Sequence, residues 1–156
     1  MEKEDCFMGV AILVSNLSHD PNTKVGACIV NVEGDIIATG YNDFPKRCKT
    51  DNFSWGKTGK LWETKYGYVC HAETSALINC SGKSTLHAVL YVVEFPCHEC
   101  AKVLIQAGIS KVVYLKDEQM NRESVKTAKI LFDSADVEYK KFSSDIEDID
   151  IKFRSL

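Results

Sequence analysis

Two short segments of this chain put ligand-type side chains at spacings that serve chemistry: His71-Ala72-Glu73 and Pro96-Cys97-His98-Glu99-Cys100. Cys97 and Cys100 are one helical turn apart, so both sulfurs can face a single ion. A helix start also favours thiolate over thiol, because its unpaired N–H groups carry positive potential. His71 adds a ring nitrogen, giving three ligands for one zinc ion per chain. Cys70 adjoins His71, and neighbouring residues rarely both reach one ion. His98 points away from the sulfurs if its segment is helical. A structural zinc takes four protein ligands, so three ligands read as a catalytic site that keeps its fourth position for water. Zinc brings that water's pKa toward neutrality. Glu73, two residues past His71, is then free to carry protons between the water and a leaving group.

Taken singly, each of these residues has a plainer reading. A C-x-x-C pair can be a redox couple or part of a structural metal site. One histidine can be a satisfied core residue, and one glutamate a solvated carboxylate at a helix start. Together they match the H-x-E…P-C-x-x-C signature of zinc nucleobase deaminases. In that chemistry, addition at a carbon bearing an amine leaves a poor leaving group unless the amine is protonated, and one carboxylate beside the zinc meets both needs. Cys28 and Cys80 read as core fillers, while Cys6 and Cys48 have no evident role. Trp55 and Trp62 read as loop packing in preference to a base-stacking platform.

These side chains need a frame. Apolar residues at Phe7, Val10, Ala11, Val14 and Leu17 predict a helix over 5–17, stopped by Pro21. Val25–Val32 and Asp35–Tyr41 predict a hairpin around Glu33-Gly34-Asp35. The stretch 42–66 is polar and irregular, and a loop that long in a compact domain is usually functional. A short helix follows at 72–80. The apolar run 88–94 predicts a central strand buried on both faces. Pro96 opens a helix that ends at Ala107, with Gly108 as its C-terminal stop. Then come a strand at 111–115, a helix at 123–134 capped by Asn121, and a strand at 137–142. The last three strands, joined by helical crossovers, should run parallel. Both motifs then sit at helix N-termini, at one end of a mixed five-stranded sheet with helices on both faces.

The 156 residues fit one domain, expected over 1–142, with a loosely held tail at 143–156. The net charge of −3 gives no basic footprint for nucleic acid. The apolar run Phe7–Val14 is too short to span a membrane and lacks signal-peptide features, so a cytoplasmic location without membrane contact is expected. Seven cysteines, an odd count, fit a reducing compartment better than a disulfide framework.

From about Phe7 to Phe142 the chain resembles the cytidine deaminase-like superfamily, and within it the dCMP deaminase branch. The likeness is carried by Asp20-Pro21-Asn22-Thr23-Lys24-Val25-Gly26-Ala27-Cys28, Gly40-Tyr41-Asn42, Lys65-Tyr66-Gly67-Tyr68-Val69-Cys70-His71-Ala72-Glu73, Phe95-Pro96-Cys97-His98-Glu99-Cys100 and Ile105-Gln106-Ala107-Gly108-Ile109. The resemblance implies a three-layer α/β/α fold and deamination of dCMP to dUMP, the precursor of thymidylate. It implies that Asn42 binds the sugar and that backbone at Ala72 and Phe95 reads the base and receives the amine. It places phosphate near Asn22–Lys24, with Lys24 adding charge. It also implies a homohexamer, activated by dCTP with Mg2+ and inhibited by dTTP.

Some positions depart from that pattern. Asp43-Phe44-Pro45-Lys46-Arg47-Cys48 stands where the family has glycine, proline and glycine. Glycines there allow close backbone approach to a nucleotide, so altered or absent dCTP/dTTP control is expected. Asp117-Glu118-Gln119-Met120 replaces a segment that often carries an aromatic residue, and Ala135-Asp136-Val137 replaces an Ala-Gly-Val turn. Two rival readings remain at this level. One is a deaminase for CMP, dCTP, cytidine or a polynucleotide base; the excess of Lys46, Arg47, Lys49, Lys57, Lys60 and Lys65 in the long loop could hold a phosphate. The other is a zinc-bearing nucleotide sensor, for which an intact Glu73 has no use.

Overall fold

The computed structural model describes residues 1–118 and 121–154. Its elements run α1 (Lys3–Ser15), β1 (Gly26–Val30), β2 (Ile36–Tyr41), α2 (Ala72–Asn79), β3 (Val89–Glu94), α3 (His98–Gln106), β4 (Lys111–Lys116), α4 (Arg122–Ser134) and β5 (Glu138–Lys141). Two single-turn 3-10 segments, Leu61–Glu63 and Lys65–Gly67, interrupt the long loop before α2. The sheet order is β2-β1-β3-β4-β5. β1 is antiparallel to both neighbours, and β3, β4 and β5 are parallel.

The alternation of the strands sorts the core into two layers. Ala27, Ile29, Leu90, Val92, Val112 and Tyr114 face one side, where Ala72, Ala76, Ala101, Leu104, Ala128 and Phe132 of α2, α3 and α4 cover them. Cys28, Val30, Tyr91, Val93 and Val113 face the other side, under Met8 and Ala11 of α1. Both crossovers step the same way across the sheet. Right-handed connections then put α3 and α4 on one face together.

The helices end close to the expected positions, for local reasons. α4 begins where Asn121 accepts a hydrogen bond from the Ser124 N–H at 2.7 Å. α3 begins at His98 and not at Pro96. Cys97 is its N-cap, with the sulfur accepting from the Cys100 N–H at 3.4 Å. Of the Asp117–Met120 segment, Gln119 and Met120 lie outside the described residues. Ala135–Val137 turns through Asp136, which takes the positive φ of 53° that a glycine would have eased. The tail passes α1, where Ile149 Cδ1 packs near Gly9. Among the described residues no helix is long and apolar enough to cross a membrane.

Two glycines set the spacing between helices and sheet. A Cβ at Gly26 would overlap the carbonyl oxygen of Ala11 in α1, and one at Gly40 would overlap the backbone of Ala72 and Ala76 in α2. α2 carries His71 at its start, so the fit at Gly40 also sets the height of that residue. Gly40→Ala is expected to cost about 1–3 kcal/mol through overpacking, read as a lowered thermal-unfolding midpoint. An unchanged midpoint would mean that α2 is not seated against the sheet as described.

Candidate active site

Three helices bring their N-termini to one cavity of about 520 Å³. His71 is the N-cap of α2, Cys97 that of α3 and Asn121 that of α4. In an open α/β sheet this is where ligands gather, because strand C-termini and helix N-termini share that edge. Each helix end also contributes positive potential.

Where His71 and Cys97 line this cavity, the Cys100 and Cys97 sulfurs lie 3.3 and 3.5 Å from His71 Nδ1. All three ligand atoms fall within 4.8 Å of one another. Zinc bonds of about 2.3 Å to sulfur and about 2.0 Å to nitrogen, at a tetrahedral angle, put sulfur and nitrogen about 3.5 Å apart. The donor set therefore fits zinc in both chemistry and spacing. Among the described residues no other group of His, Cys, Asp or Glu forms such a cluster.

The proton chemistry of the cluster agrees with this. The Cys100 and His71 hydrogen bonds hold the Cys97 thiol well below its usual range, against the effect of burial. Its thiolate pushes His71 up to about 9. Cys100 is driven upward by the adjacent Cys97 and by burial. One of the two sulfurs, that of Cys97, is thus already held toward the anionic form that a cation would need. Glu73 is 4% exposed, and burial raises its carboxyl above the ordinary glutamate value. The charge of His71 and a hydrogen bond from Cys100 oppose that rise, and the charge of Cys97 adds to it. A carboxyl raised in this way is better matched to exchanging protons near neutral pH.

The remaining expected site residues divide. Asn42, Ala72 and Phe95 line the cavity. The side chains of Ala72 and Phe95 belong to the core, with Phe95 packed edge-on against Tyr114 at 4.8 Å, so backbone is what they offer a ligand. Lys24 goes elsewhere. Its ammonium donates to the carbonyls of Ser18 and Asn16 at 2.7 and 3.4 Å, where it caps the end of α1. Asn22 is exposed and donates to the Trp55 carbonyl at 3.4 Å. Thr23, between them, does line the cavity.

Sequence pattern alone marked neither Glu94 nor Ser124 for the cavity wall. Of the six basic loop residues, Lys57 and Lys65 reach the cavity wall. Lys65 is buried and ion-paired with the fully buried Asp20. Glu94, Asn121 and Ser124 also line the cavity. An acid closing the apolar strand 88–94 was the available signal for Glu94, and Asn121 was legible only as a cap. His98 turns from the sulfurs and meets Ser124 Oγ at 3.0 Å. Trp55 stacks on Phe44 with centroids 4.0 Å apart, as loop packing.

Such a donor set, beside a buried carboxyl on this sheet, defines a zinc-dependent deaminase. Residues 1–116 match the family model for the cytidine and deoxycytidylate deaminase zinc-binding region, and the chain belongs to that family. It is 43% identical to the deoxycytidylate deaminase of Pongo abelii, over 100% of this chain and 88% of that protein. It is 41% identical to the human deoxycytidylate deaminase, with the same coverage. The crystal structure of dCMP deaminase from cyanophage S-TIM5 in complex with dCMP and dUMP superposes with a TM-score of 0.72 at 29% identity, covering 91% of this chain and 99% of that one.

Replacing Cys100 by serine removes one donor from the middle of the cluster. Bound zinc, measured by atomic absorption on purified protein, is expected to fall from about one per chain to a small fraction. Full retention would show that the metal sits elsewhere.

Proposed function

We propose that this chain hydrolyses dCMP to dUMP and ammonia, supplying dUMP for thymidylate synthesis. The observation that carries this reading is the buried Glu73 beside the His71, Cys97 and Cys100 cluster, at a nucleotide-sized cavity. Relatives named deoxycytidylate deaminase over the full length of the chain support the choice of base and phosphate state.

In this mechanism His71, Cys97 and Cys100 hold the zinc. When bound, zinc acidifies the attacking water so that it can react near neutral pH. Glu73 takes one proton from the attacking water and delivers it to N3 of the cytosine ring, then takes the second from the hydroxyl now on C4 and gives it to the exocyclic amine, which leaves as ammonia while the C4 carbonyl forms. The first-turn N–H of Ala72 donates to the base carbonyl, since helix starts leave such donors unsatisfied. Backbone at Phe95 receives the departing amine. Asn42 takes the sugar. The phosphate lies toward Thr23 and Lys57, where the cavity wall carries a cation not committed to a buried acid. The positive helix ends favour the anionic substrate as a whole.

Regulation and assembly are read from the same family. Asp43, Phe44, Pro45, Lys46 and Cys48 line a second cavity of about 760 Å³, where Phe44 stacks on Trp55 and meets Phe53 at 5.2 Å. Aromatic and charged side chains there, in place of glycines, restrict backbone approach, and we infer a weakened response to dCTP with Mg2+ and to dTTP. A homo-oligomer, a hexamer by family likeness, fits the exposed Ile12, Leu13 and Leu17 on and beyond α1.

Ultraviolet deamination assays on dCMP, CMP, deoxycytidine, dCTP and short single strands test the substrate, with dCMP expected to lead. Glu73→Ala is expected to keep zinc and fold while ammonia release drops by about 10²–10⁴-fold; undiminished release would remove the mechanism and leave a sensor. Added dCTP with Mg2+ is expected to change the dCMP rate little, and strong activation would refute the regulatory reading.

A further inference from the structure

Asp20 is fully buried, and its carboxylate has four donors. Oδ1 accepts from the Asn22 and Thr23 N–H groups at 2.8 and 3.1 Å. Oδ2 accepts from the Lys65 ammonium and, at 3.4 Å, from Asn42 Nδ2. Burial pushes the carboxyl up, but Lys65 and the two backbone donors outweigh it and hold Asp20 below its ordinary value. It therefore stays an anion and only accepts.

That constraint passes to Asn42. Its two amide hydrogens go to Asp20 and to the Thr23 carbonyl at 2.9 Å. One lone pair of its Oδ1 takes the Val25 N–H at 2.8 Å. The inventory of an asparagine side chain leaves one acceptor site and no donor. Turning the amide over would set its oxygen against a carboxylate and a carbonyl, and its NH2 against an N–H. Asn42 thus offers a ligand only an acceptor. The one free hydroxyl of dCMP, at C3′, is a donor.

Lys65 ties this network to the long loop. It is 6% exposed, its N–H donates to the Gly56 carbonyl at 2.9 Å, and its own carbonyl accepts from Tyr68 and Val69. Asp20, Thr23, Asn42 and Lys65 all border the catalytic cavity. We propose that Lys65 is a positioning residue: through Asp20 it locks the Asn42 amide with its oxygen toward the cavity, so that the site selects nucleotides bearing a 3′-hydroxyl. This rests on Asn42 taking the sugar. Without the ammonium, Asp20 is a buried acid lacking its counter-charge. It then protonates or hydrates, and a protonated Asp20 can donate, which frees the amide to turn.

The test compares dCMP with 2′,3′-dideoxycytidine 5′-monophosphate on the zinc-loaded protein and on Lys65→Met. A site built to bond a hydroxyl disfavours the analogue lacking it, so the wild-type kcat/KM ratio is expected to exceed about tenfold. In Lys65→Met the ratio is expected to collapse toward one. The loss should fall mainly on dCMP and be carried by KM, well beyond any loss on the dideoxy substrate. Lys65→Arg, which keeps the charge, should retain most of the ratio. Should Lys65→Met fail to fold, the double variant Asp20→Asn/Lys65→Met removes both charges, a change that buried pairs often tolerate, and the same collapse is expected. An equal drop on both substrates, leaving the ratio intact, overturns the proposal and makes Lys65 merely structural. A wild-type ratio near one is a different failure: Asn42 then does not take the hydroxyl, and the reading beneath the proposal falls with it.

Discussion

Three donor atoms from two helix starts have to meet within bonding reach of one ion, and much of the molecule is arranged so that they can. α2 and α3 must lie side by side on one face of the sheet with their N-termini level. Small residues make that possible: Ala72 and Ala76 in α2, and Ala101 in α3, are all fully buried at the contact layer. Gly40 lets α2 sit directly on β2. Cys97 and Cys100 come from one turn and need only the helix itself. His71 comes from another part of the chain, so its position depends on how α2 is seated. Packing density in the core thereby becomes precision at the site.

The same convergence explains the electrostatics. Three helix N-termini pointed at one cavity create a region where anions are favoured although the chain carries a net charge of −3. The cavity holds acids of its own, and each sits in a different setting. Asp20 is neutralised by Lys65 and serves as an acceptor for backbone and amide donors. Glu73 is buried beside thiol and imidazole and is raised, which suits a group that must both accept and give a proton. Burial alone cannot separate these roles, since both carboxyls are almost fully enclosed. The partner decides: a committed ammonium fixes one acid as an anion, while the other is left with groups that share protons.

Local spacing made the metal cluster readable from residue order alone. The i, i+3 cysteines and the upstream His-x-Glu are short-range patterns, and each lands on a helix start for reasons of capping and charge. The hairpin, the parallel strands and the Asn121 cap were legible for the same cause. Long-range side-chain pairing was not. Asp20 and Lys65 are 45 residues apart, and nothing in either neighbourhood announces the other. Lys24 shows the reverse case. It lies in a stretch where a cation suggests phosphate, yet its ammonium satisfies two carbonyls at the end of α1. Spacing says which residues share a turn, and only the packed chain says which way a long side chain turns. The two-residue difference at the start of α3 is also local, because a cysteine sulfur acting as cap is not a habit that residue preferences encode.

The long loop between β2 and α2 brings these strands of argument together. Almost nothing in it is regular, yet it forms a wall of the cavity through Lys57, Lys65, Tyr66 and Val69. An ordered loop must offset its conformational entropy with contacts, and this one has two kinds on its two sides. Away from the cavity, Phe44, Phe53, Trp55 and Tyr68 pack into a small aromatic cluster, with Phe53 and Tyr68 stacked at 4.2 Å and nearly parallel. Toward the cavity, the Lys65–Asp20 ion pair ties it to the domain, and the backbone pairing of Asp43 with Cys70 joins its two ends. Apolar stacking can hold a loop in place but cannot orient a polar group, because it has little directional preference. The ion pair and the amide it fixes supply direction. A wall built from both is held in place by the stacking and oriented by the ion pair, which neither kind of contact would achieve alone.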